Sequence, residues 1–226
     1  MIDQFETREA AAEASADLLA AALRRRLGAG DEASLVVAGG STPGPALRAL
    51  GSRQLSWERV HVMPSDERWV SDEHEDSNAA MIRDTLLAAA PDTRLTSLYA
   101  EDAQVDDHVD VLDAELRLLP FPFAAALLGM GEDGHFASLF PDADNLETGL
   151  DVDAGRIALA VRTAASPHPR ISLTLAALSR SDLIVLLIFG AAKLNVVNAA
   201  LEQPERYPVG ALLRQKRAPV RIVWAA

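Results

Sequence analysis

Short apolar runs alternate with longer amphipathic segments along this chain. The apolar runs are predicted to be strands, at 34–40, 59–64, 123–131, 156–161, 182–190 and 220–225. The segments between them are predicted to be helices, at 3–27, 45–50, 78–89, 105–118, 191–201 and 209–214. This alternation predicts an α/β fold of three layers, with helices on both faces of a mostly parallel sheet. No internal repeat or linker interrupts the pattern, so we expect one domain over residues 1–226.

Composition and charge exclude several classes of function for this protein. The chain has no cysteine, which excludes disulfides, zinc-thiolate sites and a thiol nucleophile and suits a reducing cytoplasm. A net charge of -12 argues against nucleic acid or an anionic membrane as a partner. The start of the chain is too polar for a signal peptide, and the longest apolar run, 183–189, is too short to span a bilayer. We therefore expect a soluble cytoplasmic protein; the sequence does not define its oligomeric state.

Four polar clusters stand where predicted strands end, at 39–44, 65–68, 131–135 and 190–193. In open parallel sheets, ligands bind beyond the carboxyl ends of the strands. We therefore expect the four clusters to meet in one crevice. Because the protein is acidic overall, an anionic ligand there would need a local group of basic residues.

The first cluster, GGSTPG, has the composition of a phosphate-binding turn. Gly40 lets the backbone approach a ligand, and Ser41 and Thr42 add hydroxyl groups near the start of a helix. The alternative is a plain strand-to-helix turn in which Ser or Thr caps the helix. The cluster matches neither the dinucleotide-binding nor the nucleoside-triphosphate motif, so neither ligand is predicted.

Outside the first cluster, charged side chains at three places along the chain are further candidates for the site. Asp66 and Arg68 follow an apolar strand, although a solvated loop with ion pairs is the alternative for this segment. Arg170 precedes an apolar stretch and offers a planar cation that can grip phosphate in two places. Lys193 is one of only two lysines among 21 basic residues, which favours a specific use for its compact ammonium group.

The segment LLGMGEDGHFASLFP, residues 127–141, contains the candidate catalytic pair. In an extended segment Asp133 and His135 would face the same side, with Gly134 between them. A carboxylate bound to one imidazole nitrogen leaves the other free to accept a proton, as a general base does. The alternatives are a histidine that caps a helix over 136–140 and a metal ligand. No HxH or HxxxH pair occurs, so no metal site is predicted.

Taken together, these motifs resemble the 6-phosphogluconolactonase family. The segments AGGSTP, DERWVSDEHEDSN, LLGMGEDGHFASLFP, PRISLTL and FGAAK follow the family's order over nearly the whole chain. The resemblance implies a modified Rossmann-type sheet, shared with glucosamine-6-phosphate deaminases, and no metal or organic cofactor. It also implies hydrolysis of 6-phospho-D-glucono-1,5-lactone to 6-phosphogluconate in the oxidative pentose phosphate pathway.

The resemblance also implies a role for each candidate residue. His135 activates water, Asp133 orients the imidazole, and Arg68 stabilises charge on the lactone oxygen or grips the substrate a second time. Asp66 binds sugar hydroxyls or tunes neighbouring charges. The phosphate is expected to be held by Gly40, Ser41, Thr42, Arg170 and Lys193.

Two other functions remain open at this stage. The deaminase branch of the superfamily carries a ring-opening glutamate five residues after the histidine, where this chain has Phe140. A sugar-phosphate-binding regulator without catalysis is the other alternative, although it would have no need of Asp133 and His135. One departure from the family pattern is His168, which stands where lysine is frequent, so its contact with ligand is an open question.

Overall fold

The computed structural model describes residues 2–30 and 32–226. The strands are β1 (Ile2–Phe5), β2 (Ala33–Val37), β3 (Val60–Pro64), β4 (Asp66–Arg68), β5 (Arg94–Leu95), β6 (Ala125–Leu128), β7 (Ala158–Val161), β8 (Arg170–Leu173), β9 (Ile184–Phe189) and β10 (Val220–Ala225). The helices are α1 (Arg8–Ala29), α2 (Gly44–Gly51), α3 (Asn78–Ile82), α4 (Val105–Leu116), α5 (Leu146–Leu150), α6 (Leu175–Leu178), α7 (Ala191–Glu202) and α8 (Pro208–Arg214). A π-helical segment, Arg83–Leu87, continues α3. No helix among these residues is both long and apolar enough to cross a bilayer.

The main sheet has seven strands in the order β1-β10-β9-β6-β2-β3-β5, and all its pairs are parallel. Consecutive residues of β2 face opposite sides, as the strand period of two requires. Leu35 and Val37 pack in one core with α1 and α2, whereas Val36 packs in the other core with α4, α7 and α8. Helices therefore cover both faces, and the predicted three-layer fold is confirmed.

The amino-terminal prediction was wrong over its first residues. Ile2–Phe5 forms an edge strand in register with the last strand, with Ile2 opposite Ile222 and Phe5 opposite Ala225. Helix α1 starts only after Thr7, whose hydroxyl accepts the Ala10 N–H at 3.1 Å. The helix also runs past Gly28 and ends at Ala29, with Gly30 as its C-cap. Pairing with the far end of the chain decides the conformation of these few residues, and a local pattern does not contain that information.

A second sheet was not anticipated. Its three antiparallel strands lie in the order β4-β8-β7, so the predicted strand at 156–161 belongs here and not to the parallel sheet. Only Ser65 separates β3 from β4, so the chain passes directly from the main sheet into this small one. Ile171 and Leu173 of β8 pack into the core on the α4 side of the main sheet. The second sheet therefore flanks the carboxyl ends of the parallel strands.

Other differences concern short elements. Helix α4 ends at Leu116, two residues before its predicted end, and the predicted strands at 34–40 and 123–131 lose their glycine-rich ends. Two of these strand ends form turns that line the site described below. The sequence pattern gave no sign of β5, α5 and α6, each of which has five residues or fewer.

Candidate active site

A cavity of about 580 Å³ opens at the carboxyl ends of β2, β6 and β9, beside the small sheet. The structure places every predicted site residue on its wall: Gly40, Ser41, Thr42, Asp66, Arg68, Asp133, His135, Arg170 and Lys193. Their positions follow from the parallel topology, since strand ends that are distant in sequence meet at one edge of the sheet. The roles of these residues remain predictions.

Residues 131–135 form a tight turn and not the extended segment that the spacing suggested. The Gly134 N–H donates to the Gly131 carbonyl at 3.1 Å, and the Gly131 N–H donates to the His135 carbonyl at 2.9 Å. Gly134 has a φ of 81°, which side-chain-bearing residues rarely adopt. Residues 136–140 do not form a helix, so His135 is not a helix cap.

The turn brings Asp133 and His135 into direct contact. The imidazole Nδ1 lies 2.6 Å from Oδ1 of Asp133, which also accepts the His135 backbone N–H at 3.1 Å. Because a carboxylate only accepts, Nδ1 carries the proton of this bond, and in a neutral imidazole Nε2 then has the lone pair. Nε2 has no hydrogen-bond partner within residues 2–30 and 32–226. The His135 side chain is 27% exposed. This geometry is that of a general base with an orienting acid.

Gly131 is required by the position of the imidazole. A Cβ at Gly131 would lie 2.3 Å from both Cε1 and Nδ1 of His135 and 2.5 Å from Oδ1 of Asp133. No side chain fits at these distances. The second glycine of GMGEDGH therefore makes room for the pair that follows it.

Asp66 anchors its neighbours more than it faces the cavity. It is 6% exposed, and its carboxylate accepts the hydroxyls of Ser65 at 2.8 Å and Ser138 at 2.6 Å. The same carboxylate accepts Nη1 of Arg170 at 3.3 Å. These contacts use both carboxylate oxygens and favour the alternative in which Asp66 tunes neighbouring charges, here that of Arg170.

Arg68 and Arg170 form a pair of cations on adjacent strands, where they are direct register partners of β4 and β8. In both, Nε is buried and without a hydrogen-bond partner in the described chain. Burial lowers the pKa of Arg170; Asp66 opposes this shift, and Arg68 adds to it. Arg68 also donates from Nη1 to the carbonyl of Asp76. Two guanidinium groups with unused donors favour an anionic ligand.

The turn after β2 fits the phosphate interpretation better than the capping alternative. The residue that precedes α2 is Pro43, and no side chain caps this helix. Gly40 has a φ of 87°, and the hydroxyls of Ser41 and Thr42 have no partner in the part of the chain that the structure describes. Lys193 lies in the first turn of α7 and forms no ion pair with a described residue. Free hydroxyls and a free ammonium group at one cavity can hold phosphate.

Three further residues at the site, Asn78, Ser138 and Phe140, were not predicted to contribute to it. Asn78 lines the cavity and donates to the Asp66 carbonyl at 2.6 Å, and Ser138 joins Asp66 to Arg170. Phe140, which had been considered only for its absent carboxylate, stacks on the His135 ring. Each of these contacts depends on a partner elsewhere in the sequence or on the unpredicted turn at 131–135.

His168 is not on the cavity wall; its Nε2 lies 3.3 Å from Oδ2 of Asp76.

Glu67 stands between the two site residues of β4 and is fully buried. Its carboxylate accepts the backbone N–H groups of Asn78 at 2.7 Å and Ala79 at 2.8 Å, at the start of α3, and that of Arg68 at 2.9 Å. Burial raises the pKa of Glu67 to about 6, and the backbone hydrogen bonds oppose this shift. Glu67 thereby ties the strand that carries Arg68 to α3.

We expect Glu67 to lower the free energy of unfolding as the pH rises through about 6. The carboxyl binds its proton more tightly in the folded state than in the unfolded chain, where its pKa is 4.5. The stability from this difference, about 2 kcal/mol, is present below pH 4.5 and is lost as the group ionises in the folded protein. Chemical denaturation of the wild type and Glu67→Gln, below pH 4.5 and above pH 6, measures the change.

The free energy of unfolding of the wild type, relative to that of Glu67→Gln, should be lower at the higher pH, because glutamine does not titrate. A relative free energy of unfolding that rises instead would mean that the hydrogen bonds to the ionised carboxylate outweigh its burial. Glu58→Gln is the matched control, since Glu58 is exposed. The same pH-dependent change in Glu58→Gln would show that the effect does not come from the burial of Glu67.

Fold and site together define an α/β protein whose cleft combines cationic and hydroxyl side chains with a hydrogen-bonded carboxylate–imidazole pair. Among the described residues, no group of three or more His, Asp or Glu is arranged to hold a metal ion. The chain belongs to the glucosamine-6-phosphate isomerase/6-phosphogluconolactonase family, whose model matches residues 6–224. The family resemblance inferred from the sequence motifs is confirmed.

Relatives within this family are similar over most of their length. A 6-phosphogluconolactonase of Pseudomonas aeruginosa is 40% identical over 209 residues, which cover 91% of this chain and 87% of that protein. One of Caulobacter vibrioides is 37% identical over 227 residues, covering 99% and 97%. The crystal structure of a 6-phosphogluconolactonase from Shewanella baltica OS155 matches with a TM-score of 0.94 at 33% identity, over 100% of this chain and 97% of that one.

Proposed function

We propose that this protein hydrolyses 6-phospho-D-glucono-1,5-lactone to 6-phosphogluconate in the oxidative pentose phosphate pathway. The observation that carries the proposal is the Asp133–His135 pair on the wall of a cavity that also holds Ser41, Thr42 and Lys193. Among the described residues, Nε2 of His135, the two hydroxyls and the ammonium group have no partner. Relatives that cover most of the chain carry the name of this activity. The proposal includes no metal, no organic cofactor and no nucleic-acid or membrane partner. We further propose that residues 1–226 form one domain and that the protein acts in the cytoplasm, a location that suits its cysteine-free composition.

In the proposed mechanism, His135 acts first as base and then as acid. Nε2 takes a proton from water while the water oxygen forms a bond to the lactone carbonyl carbon. The carbonyl oxygen gains negative charge, which Arg68 stabilises. The tetrahedral intermediate then collapses, the bond to the ring oxygen breaks, and the imidazolium returns its proton to that oxygen. Asp133 holds the imidazole in the required tautomer and stabilises its charged form.

The phosphate group serves as an anchor in this scheme. Gly40, Ser41 and Thr42 present backbone and hydroxyl groups, while Arg170 and Lys193 supply positive charge. The phosphate does not react, so its binding energy is used to orient the lactone carbonyl near His135. Asp66 does not contact the phosphate in this scheme; it accepts a hydrogen bond from Arg170 and so holds that side chain in place.

The deaminase alternative is less well supported by the site. At the position of the branch's ring-opening glutamate, Phe140 is 4% exposed and stacks on His135. A phenyl ring neither donates nor accepts a proton, so the ring-opening step has no catalyst there. The regulator alternative leaves the close Asp133–His135 contact without a use.

The test is a comparison of two reactions with the purified protein. We expect it to accelerate opening of freshly made 6-phosphogluconolactone above a buffer blank at the same pH, and to release no ammonia from glucosamine 6-phosphate. Activity should survive in a metal chelator. The unphosphorylated lactone is the matched control substrate and should react far more slowly, because it lacks the anchor.

Each contrary outcome has a defined meaning. Ammonia release at a rate comparable to lactone hydrolysis would overturn the proposal in favour of the deaminase. Binding of 6-phosphogluconate without either reaction would favour the regulator. Loss of activity in the chelator, restored only by a divalent ion, would refute the metal-free mechanism.

A further inference from the structure

The imidazole of His135 is held by an aromatic ring as well as by a carboxylate. The ring centroids of His135 and Phe140 are 4.0 Å apart, and the two planes are inclined by 29°. This is a stacked arrangement at close range. The hydrogen bond from Nδ1 to Asp133 reaches only one edge of the imidazole. A single bond at one edge still permits the ring to tilt, whereas contact with its face restricts the plane.

Phe140 is itself held firmly. Its side chain is buried in a small apolar cluster with Ala143, Leu159 and Val161, separate from the two main cores. The guanidinium carbon of Arg170 lies 5.3 Å from the centre of the phenyl ring, within the range of a cation–π contact. A ring with these contacts is a rigid support for its neighbour. Phe140 also touches both halves of the site, the proposed base and a proposed phosphate ligand.

We propose that Phe140 is a positioning residue, which fixes the plane of the His135 imidazole and so directs Nε2 at the lactone carbonyl. The proposal rests on the function proposed above, in which His135 is the base. It assigns to Phe140 an active use in lactone hydrolysis, beyond the absence of a glutamate at this position. Phe140 contributes no proton transfer; it acts through the orientation of His135. The ring face also suits the imidazolium that forms during the reaction, since a cation is stabilised over a phenyl face.

The kinetic test uses Phe140→Leu with Leu159→Ala as its control. Both changes remove apolar contacts from the same cluster, but Leu159 lies on β7 and is not among the residues of the cavity wall. We expect Phe140→Leu to lower kcat by about 10- to 100-fold, since small misplacement of a catalytic group has effects of this size, with KM changed by less than about threefold. Leu159→Ala should lower the melting temperature and leave kcat near the wild-type value.

Rescue by a conservative change separates positioning from packing. Phe140→Tyr keeps the face of the ring and should retain most of the wild-type kcat. Equal losses of kcat in Phe140→Leu and Leu159→Ala would overturn the proposal, because the effect would then belong to the cluster. An unchanged kcat in Phe140→Leu would overturn it as well.

A spectroscopic measurement tests the contact without any assay of activity. In the wild type the carbon-bound ring protons of His135 should show an upfield NMR shift from the ring current of Phe140, and Phe140→Leu should remove it. A wild type that shows this shift but no lactonase activity would refute the proposed function and leave the contact standing. An active wild type whose His135 signals do not respond to Phe140→Leu would refute the positioning role alone.

Discussion

Replacement of His135 by glutamine is expected to lower kcat by about 10²- to 10⁴-fold, the range that general-base catalysis contributes. Glutamine keeps a polar side chain of similar reach but cannot accept the proton of the attacking water. The interaction lost exists only in the transition state, so KM should change little. Steady-state kinetics on the phosphorylated lactone, corrected for spontaneous opening, measure both constants.

Asp133→Asn is the companion variant for this prediction. An asparagine preserves the size of the side chain, but its amide can donate to Nδ1 and so favours the tautomer with the proton on Nε2. That tautomer has no lone pair facing the substrate, so kcat should again fall while KM is nearly kept. If both variants retained a kcat near that of the wild type, the Asp133–His135 pair would not be the catalytic unit.

Much of the fold could be predicted because its main strands are buried on both faces. Strands such as Ile184–Phe189 are continuous apolar runs, and such runs between amphipathic helices are typical of parallel sheets. The small sheet gave a weaker signal. Asp66–Arg68 consists of three charged residues, and its pairing with Arg170–Leu173 links segments about 100 residues apart in the chain. No local pattern encodes such a pairing, and neither of these two segments was predicted to be a strand.

For the candidate site, too, local features could be predicted from the sequence and long-range contacts could not. Most of its residues could be placed at one cavity from the sequence, since they follow closely on strands whose carboxyl ends meet. Arg170 is the exception, because it begins β8 of the small sheet. The partners of the site residues could not be predicted. Asp66 is bound by Ser138, 72 residues further along the chain, and by Arg170, 104 residues away. The stacking of Phe140 on His135 depends in turn on a tight turn where the spacing had suggested extended chain. The role of a side chain depends on its partners, and for Asp66 these partners favour one of the two roles expected from the sequence, the tuning of neighbouring charges.

The second large effect is expected from replacement of Arg170, which forms a buried ion pair with Asp66. The replacement should affect both the free energy of unfolding and KM, for two different reasons. The two side chains are 12% and 8% exposed. Arg170→Met keeps the apolar stem but leaves the Asp66 carboxylate buried without its cation, which should lower the free energy of unfolding by about 3 kcal/mol. It also removes the charge-assisted contact proposed between Arg170 and the substrate phosphate, so KM should rise by about 10- to 100-fold.

The double variant Asp66→Asn, Arg170→Met tells the two effects apart. Asparagine removes the uncompensated charge, so most of the lost stability should return, as measured by chemical denaturation. KM should stay high, because the phosphate still lacks its guanidinium partner. The exposed pair Arg162–Asp106, 59% exposed on both sides, supplies the control: Arg162→Met should change stability by less than about 1 kcal/mol and leave KM unaltered. A double variant that regained wild-type KM along with its stability would show that Arg170 serves the fold and does not bind the substrate.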